Sequence, residues 1–204
     1  MCAISGSFSK NKLKELYKLN AYRGEMNHSL TTFEYDPKLK KIRTGVMYQG
    51  KGGLPDFLID GQDEAPSKYF LSHSQAPTTE ASSIHPASSN GALLWHNGII
   101  KQSTIEPGAW DTEWMIKQIV DYGWSSLSRV NGTFACVMYN ENKLYVFRNE
   151  ISPLYIDDTM NISSTRFEGS RQVIPNVVWE FSLKSRNYWG VADFETFENP
   201  YFFA

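Results

Sequence analysis

Cysteine is scarce: the 204 residues contain two, Cys2 and Cys136, far apart in the chain. Two distant thiols do not make the disulfide framework of a small secreted domain, which points to a reducing compartment and a core held by apolar packing. No apolar run approaches the ~20 residues that cross a bilayer, and the first residues are not followed by the apolar stretch of a secretory leader. Neither sign of charge dominates. The 20 Lys and Arg against 22 Asp and Glu leave a formal net charge of −2, which argues against nucleic acid or an anionic membrane as the main partner, since such surfaces need concentrated basic charge. There is no internal repeat, no glycine-rich phosphate loop and no metal-ligand spacing, and the four histidines do not recur at i, i+4. No cofactor and no metal is expected. With 41% hydrophobic and 21% charged residues, the chain can bury one substantial core, and it reads as a soluble, cytoplasmic protein with a single domain over 2–204.

Taken in order, Cys2-Ala-Ile-Ser-Gly-Ser-Phe8 has the small, apolar-leaning character of a buried strand. Ser9 is an N-cap for a helix through about Leu19, with Leu13, Leu16 and Leu19 as its buried stripe. Strands are expected at Thr31–Tyr35, Lys41–Tyr48, Asp56–Ile59, Tyr69–His73 and Ala92–His96. The Ser, Thr, Pro and Ala-rich stretch from Ser74 to Gly91 reads as a functional loop. Asn97-Gly98 between apolar residues is a hairpin signal, with Ile99-Ile100 returning. Asp111-Thr-Glu113 opens a helix whose apolar face is Met115, Ile116, Ile119 and Val120, and Trp124–Arg129 is a second short helix. A hairpin of Phe134–Tyr139 and Leu144–Arg148 turns at Asn140-Glu-Asn142; further strands fall at Leu154–Ile156, Asn161–Ser164 and Val177–Leu183. The closing aromatics, Trp189, Phe194, Phe197, Tyr201, Phe202 and Phe203, need a surface to pack on. Many strands with two or three helices make an α+β layered domain.

Chemistry concentrates at the start. If Met1 is removed, Cys2 carries a thiol and a free α-amine on one residue. The amine titrates near ~7.7–8.0 and a free thiol near ~8.5, so the residue holds a nucleophile with its own base attached. A cysteine at position 2 taken alone is more often a small buried hydrophobe. Cys136, inside a strand-like run, reads as an inert core thiol.

Five short motifs in order shift that balance. Cys2-Ala-Ile-Ser-Gly6, Tyr22-Arg-Gly24, Trp95-His-Asn-Gly-Ile-Ile100, Asp111-Thr-Glu113, and Val130-Asn-Gly-Thr-Phe-Ala135 with Arg148-Asn-Glu-Ile-Ser-Pro-Leu-Tyr155 together resemble the class-II glutamine amidotransferase domain, an N-terminal-nucleophile (Ntn) hydrolase. The resemblance implies a four-layer αββα sandwich with two antiparallel sheets between helical layers. It also implies attack by Cys2 on the side-chain amide of glutamine, with the α-amine moving the proton and a thioester as intermediate. It assigns the oxyanion donors to the Asn97 side chain and the Gly98 N–H, and the orientation of the Cys2 region to Arg23. Asp111 would take the substrate α-ammonium, in a region shared with His73, Gln75, Thr78 and His96.

The chain departs from the pattern at Gln75. In His73-Ser-Gln-Ala-Pro-Thr78 the family places an arginine where Gln75 stands, and that arginine pairs with the substrate α-carboxylate. Arg43 or Arg148 could supply the charge instead, or the substrate could be an amide other than free glutamine. Asn149, Ser152 and Met26 are smaller departures. With no ammonia-using domain evident in the sequence, a separate ammonia-acceptor protein is expected, docking on the aromatic C-terminal segment. The rival expectations are hydrolysis of a non-glutamine amide and a catalytically silent binding subunit.

Overall fold

The computed structural model describes residues 2–60, 67–76, 83–101 and 105–197. In chain order these hold β1 (Ala3–Ser7), α1 (Lys10–Leu19), a 3₁₀ turn (Ala21–Arg23), β2 (Asn27–Asp36), β3 (Lys41–Lys51), α2 (Asp56–Ile59) and β4 (Lys68–Gln75). There follow β5 (Ala87–Ser89), β6 (Ala92–Ile100), α3 (Asp111–Tyr122), a 3₁₀ helix (Trp124–Arg129), β7 (Gly132–Asn140) and β8 (Lys143–Arg148). The last five strands are β9 (Tyr155–Ile156), β10 (Ile162–Ser163), β11 (Arg171–Gln172), β12 (Val177–Ser182) and β13 (Asn187–Asp193).

Thirteen strands form two antiparallel sheets, one of seven in the order β11-β9-β10-β1-β4-β2-β3 and one of six in the order β13-β12-β8-β7-β6-β5. The sheets pack face to face on Ile4, Phe33 and Leu71 from the first against Trp95, Val137, Val146 and Phe181 from the second. The outer face of the first sheet is covered by α1 and the α2 region, where Leu13, Leu54 and Ile59 meet Leu30 and Phe70. The outer face of the second is covered by α3 and the Trp124–Arg129 helix, where Met115, Ile116, Ile119 and Leu127 meet Leu94, Phe134, Met138 and Phe147. The architecture is a four-layer αββα sandwich. Central strands are accordingly buried on both sides, as in β4, which is buried from Tyr69 to Gln75, apolar through Leu71 and polar from Ser72 on.

Local signals explain most elements. Ser9 Oγ accepts the Lys12 N–H at 3.3 Å and starts α1. Leu13 and Leu16 are fully buried, but Leu19 is 37% exposed: each three-residue step falls about 60° short of a full turn, so the third leucine rotates off the buried face. Asp56–Ile59 is a short helix and not a strand; Pro55 sets its start and Asp56 sits in its first turn, at the positive end of the peptide dipoles. The Asn97-Gly98 hairpin is also overturned. β6 runs straight through both residues, paired with β7 from Leu93↔Tyr139 to Ile100↔Gly132. Tight two-residue turns lie instead at Asn90-Gly91 between β5 and β6, with φ of 47° and 81°, and between β7 and β8, where Glu141 and Asn142 take φ of 50° and 63°. Of the closing aromatics, Phe194 is buried against Phe134 at 5.7 Å between centroids, Trp189 and Phe197 are exposed, and Tyr201, Phe202 and Phe203 lie outside the described residues. No helix among the described residues is long and apolar enough to cross a membrane.

Candidate active site

The register of β1 on β4 places the head of the chain. Ala3 pairs with Ser74 and Ile4 with His73, so Cys2, one step on, lies beside Gln75 and shares with Ile4 the face that looks across to the second sheet. Its Sγ is 3.8 Å from the Ala76 carbonyl, and Arg23, at the end of the 3₁₀ turn, donates Nε–H to the Cys2 carbonyl at 3.1 Å. Burial pushes the thiol above its ordinary range, and the charge of Asp111 pushes it the same way. At neutral pH it is a thiol that needs a base. Cys136 is fully buried in the outer layer and pushed up further by burial; it is a core residue.

Cys2 opens onto a cavity of about 200 Å³ walled by Arg23, Asn97, Gly98, Ile99, Thr133, Ile151, Ser152 and Pro153. Asn97 points inward from β6, and its Nδ2 donates to Ser164 Oγ at 3.1 Å. That hydroxyl also accepts the Ile4 N–H at 2.9 Å, which ties the Asn97 amide of one sheet to the strand that follows Cys2 in the other. Gly98 is required by geometry: at φ 155° a Cβ would lie 1.8 Å from the Thr133 carbonyl oxygen. Its register partner Phe134 spends both backbone groups on Asn149, by Asn149 N to Phe134 O at 3.0 Å and Phe134 N to Asn149 Oδ1 at 3.3 Å. The Gly98 N–H is therefore not drawn into a bond with Phe134.

The far wall is built by residues whose part the sequence did not reveal. Asn149 Oδ1 accepts the N–H groups of Ile151 and Ser152 as well as Phe134, and its Nδ2 donates to the Gly132 carbonyl at 2.8 Å. Arg148 points its buried guanidinium at the carbonyls of Val173, Asn149, Glu150 and Ser152. Together they fix the Ile151-Ser-Pro153 wall.

Asp111 is the first residue of α3; its Oδ2 accepts the Ile100 N–H at 3.2 Å. Beneath it lie three buried histidines. His73 Nε2 donates to the His96 carbonyl at 3.0 Å, and the His73 ring stacks on His85 at 3.9 Å. His96 lies between Thr112 Oγ1 at 3.2 Å and the Thr133 carbonyl at 3.2 Å. Burial lowers the basicity of all three, His73 to about 3. Gln75 is buried too, and its Nε2 donates to the Ser83 carbonyl at 3.0 Å. Thus Cys2, Arg23, Asn97 and Gly98 line one cavity. Asp111 stands beside it, His73, Gln75 and His96 form its buried flank, and Thr78 lies outside the described residues. Arg43 is distant from this group, paired with Asp36 at the β2–β3 turn. Among the described residues no three His, Cys, Asp or Glu are placed to hold a metal.

The chain matches no protein-family model and no curated protein. Among solved structures it is similar to the glutamine phosphoribosylpyrophosphate amidotransferase of B. subtilis complexed with ADP and GMP, with a TM-score of 0.62 and 16% identity over 94% of this chain and 49% of that one. It is equally similar to a structure described as the allosteric regulatory enzyme of purine biosynthesis, with a TM-score of 0.62 and 16% identity over 94% of this chain and 48% of the other. The chain spans about half the length of both. At this identity the likeness is one of fold, the Ntn-type sandwich.

Proposed function

We propose that the chain is an Ntn amidohydrolase of the class-II glutamine amidotransferase kind, which releases ammonia from a glutamine side-chain amide through Cys2. The observation that carries this reading is the single cavity shared by Cys2, Asn97 and Gly98, with the sandwich it shares with a glutamine-using amidotransferase as the background. Once Met1 is removed, the Cys2 α-amine takes the thiol proton as Sγ attacks the amide carbon. Asn97 Nδ2, which has a second N–H beyond the one given to Ser164, and the Gly98 N–H stabilise the oxyanion; each such donor is typically worth about 2.7–4 kcal/mol of barrier. The proton passes to the leaving nitrogen, ammonia departs, and water cleaves the thioester to regenerate the thiol and leave a carboxylate. Arg23 holds the Cys2 carbonyl and so positions the amine. Delivery of the ammonia to a separate acceptor protein belongs to the same proposal.

The test begins with intact mass, which should show loss of Met1, and continues with ammonia release from glutamine-type amides. Cys2→Ala should abolish turnover with an unchanged melting curve, and an electrophilic glutamine analogue should add one label at Cys2. Retained Met1 together with the absence of a label would instead favour a silent binding subunit.

A further inference from the structure

Two buried acceptors near Cys2, behind the residues that wall its cavity, have no partner among the described residues. Gln75 is 1% exposed and His85 2%, and among the described residues neither Gln75 Oε1 nor His85 Nδ1 meets a hydrogen-bond partner. They are neighbours: Gln75 Nε2 is bonded to Ser83 O, while the His85 ring lies on that of His73, two residues before Gln75 on the same face of β4. Asp111 belongs to this group, because Trp110 packs edge-on to His85 at 4.9 Å and Thr112 Oγ1 lies 3.3 Å from His85 Nε2.

Proton counting fixes the character of the vacant atoms. The Thr133 carbonyl can only accept, so His96 carries its proton on Nε2. The other nitrogen of that neutral, buried ring can only accept. Thr112 has one hydroxyl proton, which goes to an acceptor, His96 Nδ1 at 3.2 Å or Asp111 Oδ1 at 3.3 Å, so towards His85 it accepts from Nε2–H. His85 Nδ1 is then a bare lone pair. Gln75 gives one of its two amide protons to Ser83 and leaves its oxygen unpaired, and Asp111 offers a carboxylate. Burying such acceptors unpaired is costly, and a donor relieves the cost.

Resting on the reading of the preceding subsection, we infer that Gln75, His85 and Asp111 form a subsite dominated by unpaired acceptors, and that the substrate is a glutamine with a free α-amine and an α-carboxyl capped as an amide, as at the N-terminus of a peptide. The ammonium goes to Asp111 and the capping N–H to Gln75 and His85. A free α-carboxylate would meet lone pairs there. The arginines that might neutralise it are engaged elsewhere: Arg23 on the Cys2 carbonyl, Arg148 on four backbone carbonyls and Arg43 on Asp36.

The experiment compares ammonia release from L-glutamine, L-glutaminamide and the dipeptide Gln-Gly by protein shown by mass to have lost Met1. The capped substrates should exceed glutamine in kcat/KM by at least about tenfold. Gln75→Glu, which keeps an acceptor, should preserve that order, and Gln75→Arg should reverse it, each variant checked by its melting curve. Glutamine preferred by the unmodified protein overturns the inference, as does an order unmoved in a folded Gln75→Arg protein, the result expected if a trapped water satisfied both atoms. Failure of all three substrates with no covalent label on Cys2 would sink the amidohydrolase reading as well, whereas labelling with preferred cleavage of glutamine would sink the capped-substrate inference alone.

Discussion

Ser164 Oγ stands between Asn97 Nδ2 at 3.1 Å and the Ile4 N–H at 2.9 Å, so one hydroxyl fixes the Asn97 side chain, the proposed oxyanion donor, relative to the strand that follows Cys2. Asn97→Ala should lower kcat by about 10²–10³-fold with a smaller effect on KM. Ser164→Ala leaves the donor in place but frees its rotamer, and should cost roughly tenfold in kcat with KM little changed. Steady-state ammonia release on both variants decides it; equal losses would mean that Ser164 does more than orient Asn97.

Asp111→Asn should give the opposite kinetic pattern. In the proposed role its carboxylate would attract the ammonium in the ground state and the transition state alike, so KM should rise more than kcat falls. A loss confined to kcat would remove Asp111 from binding.

Gly98→Ala should cost both stability and activity. The added methyl group would have to displace the Thr133 carbonyl, which lies 1.8 Å from its ideal place, and the backbone there suits glycine; strain of this kind is worth about 1–3 kcal/mol. A urea melt with unchanged midpoint would show that β6 can shift to accept it.

The two thiols should differ sharply. Iodoacetamide on the native protein should modify Cys2 and spare Cys136, which is fully buried with a raised pKa. Peptide mapping before and after denaturation checks this, and native modification of Cys136 would contradict the outer-layer packing.

Acid should destabilise the fold through the histidines. His73 titrates near 3 when folded and at about 6.5 when unfolded, so below pH 6.5 the unfolded chain binds a proton that the native one refuses. Stability is full above pH 6.5 and falls as the pH drops towards 3, by about 1.4 kcal/mol per pH unit for this one group. His85 and His96 shift in the same direction. Urea midpoints at pH 7.5 and pH 5 should therefore differ, and the difference should shrink in His73→Gln. Equal midpoints would mean that these rings charge within the fold.

Local chemistry made much of this legible in the sequence. The Ser9 cap, the acidic opening of α3 and the β7–β8 hairpin are short-range effects and appear where the residues placed them. Asn97-Gly98 misled as a turn because its glycine answers a tertiary demand, the Thr133 carbonyl of the next strand, which no local pattern encodes. The motif resemblance named Cys2, Arg23, Asn97 and Gly98, which line one cavity, but not the part of Ser164, Asn149 and Arg148: Ser164 acts on Asn97, 67 residues away, and Asn149 and Arg148 join the local 149–152 backbone to Gly132, Phe134 and Val173. Arg148 as a stand-in cation was chemically reasonable, and only the structure shows its guanidinium occupied by carbonyls. Unpartnered atoms such as Gln75 Oε1 are invisible until neighbours can be counted.

Chain termini usually fray, with local opening at little cost. Here β1 is the fourth of seven strands, bordered by β10 and β4, so Ala3–Ser7 is held in the middle of a sheet. Cys2 stands one residue outside these ladders, tied by the Arg23 bond to its carbonyl, and its neighbour Ala3 cannot move unless the β1–β4 ladder parts. With Cys2 in its proposed role, heat inactivation should follow the cooperative unfolding of the sandwich with no earlier step.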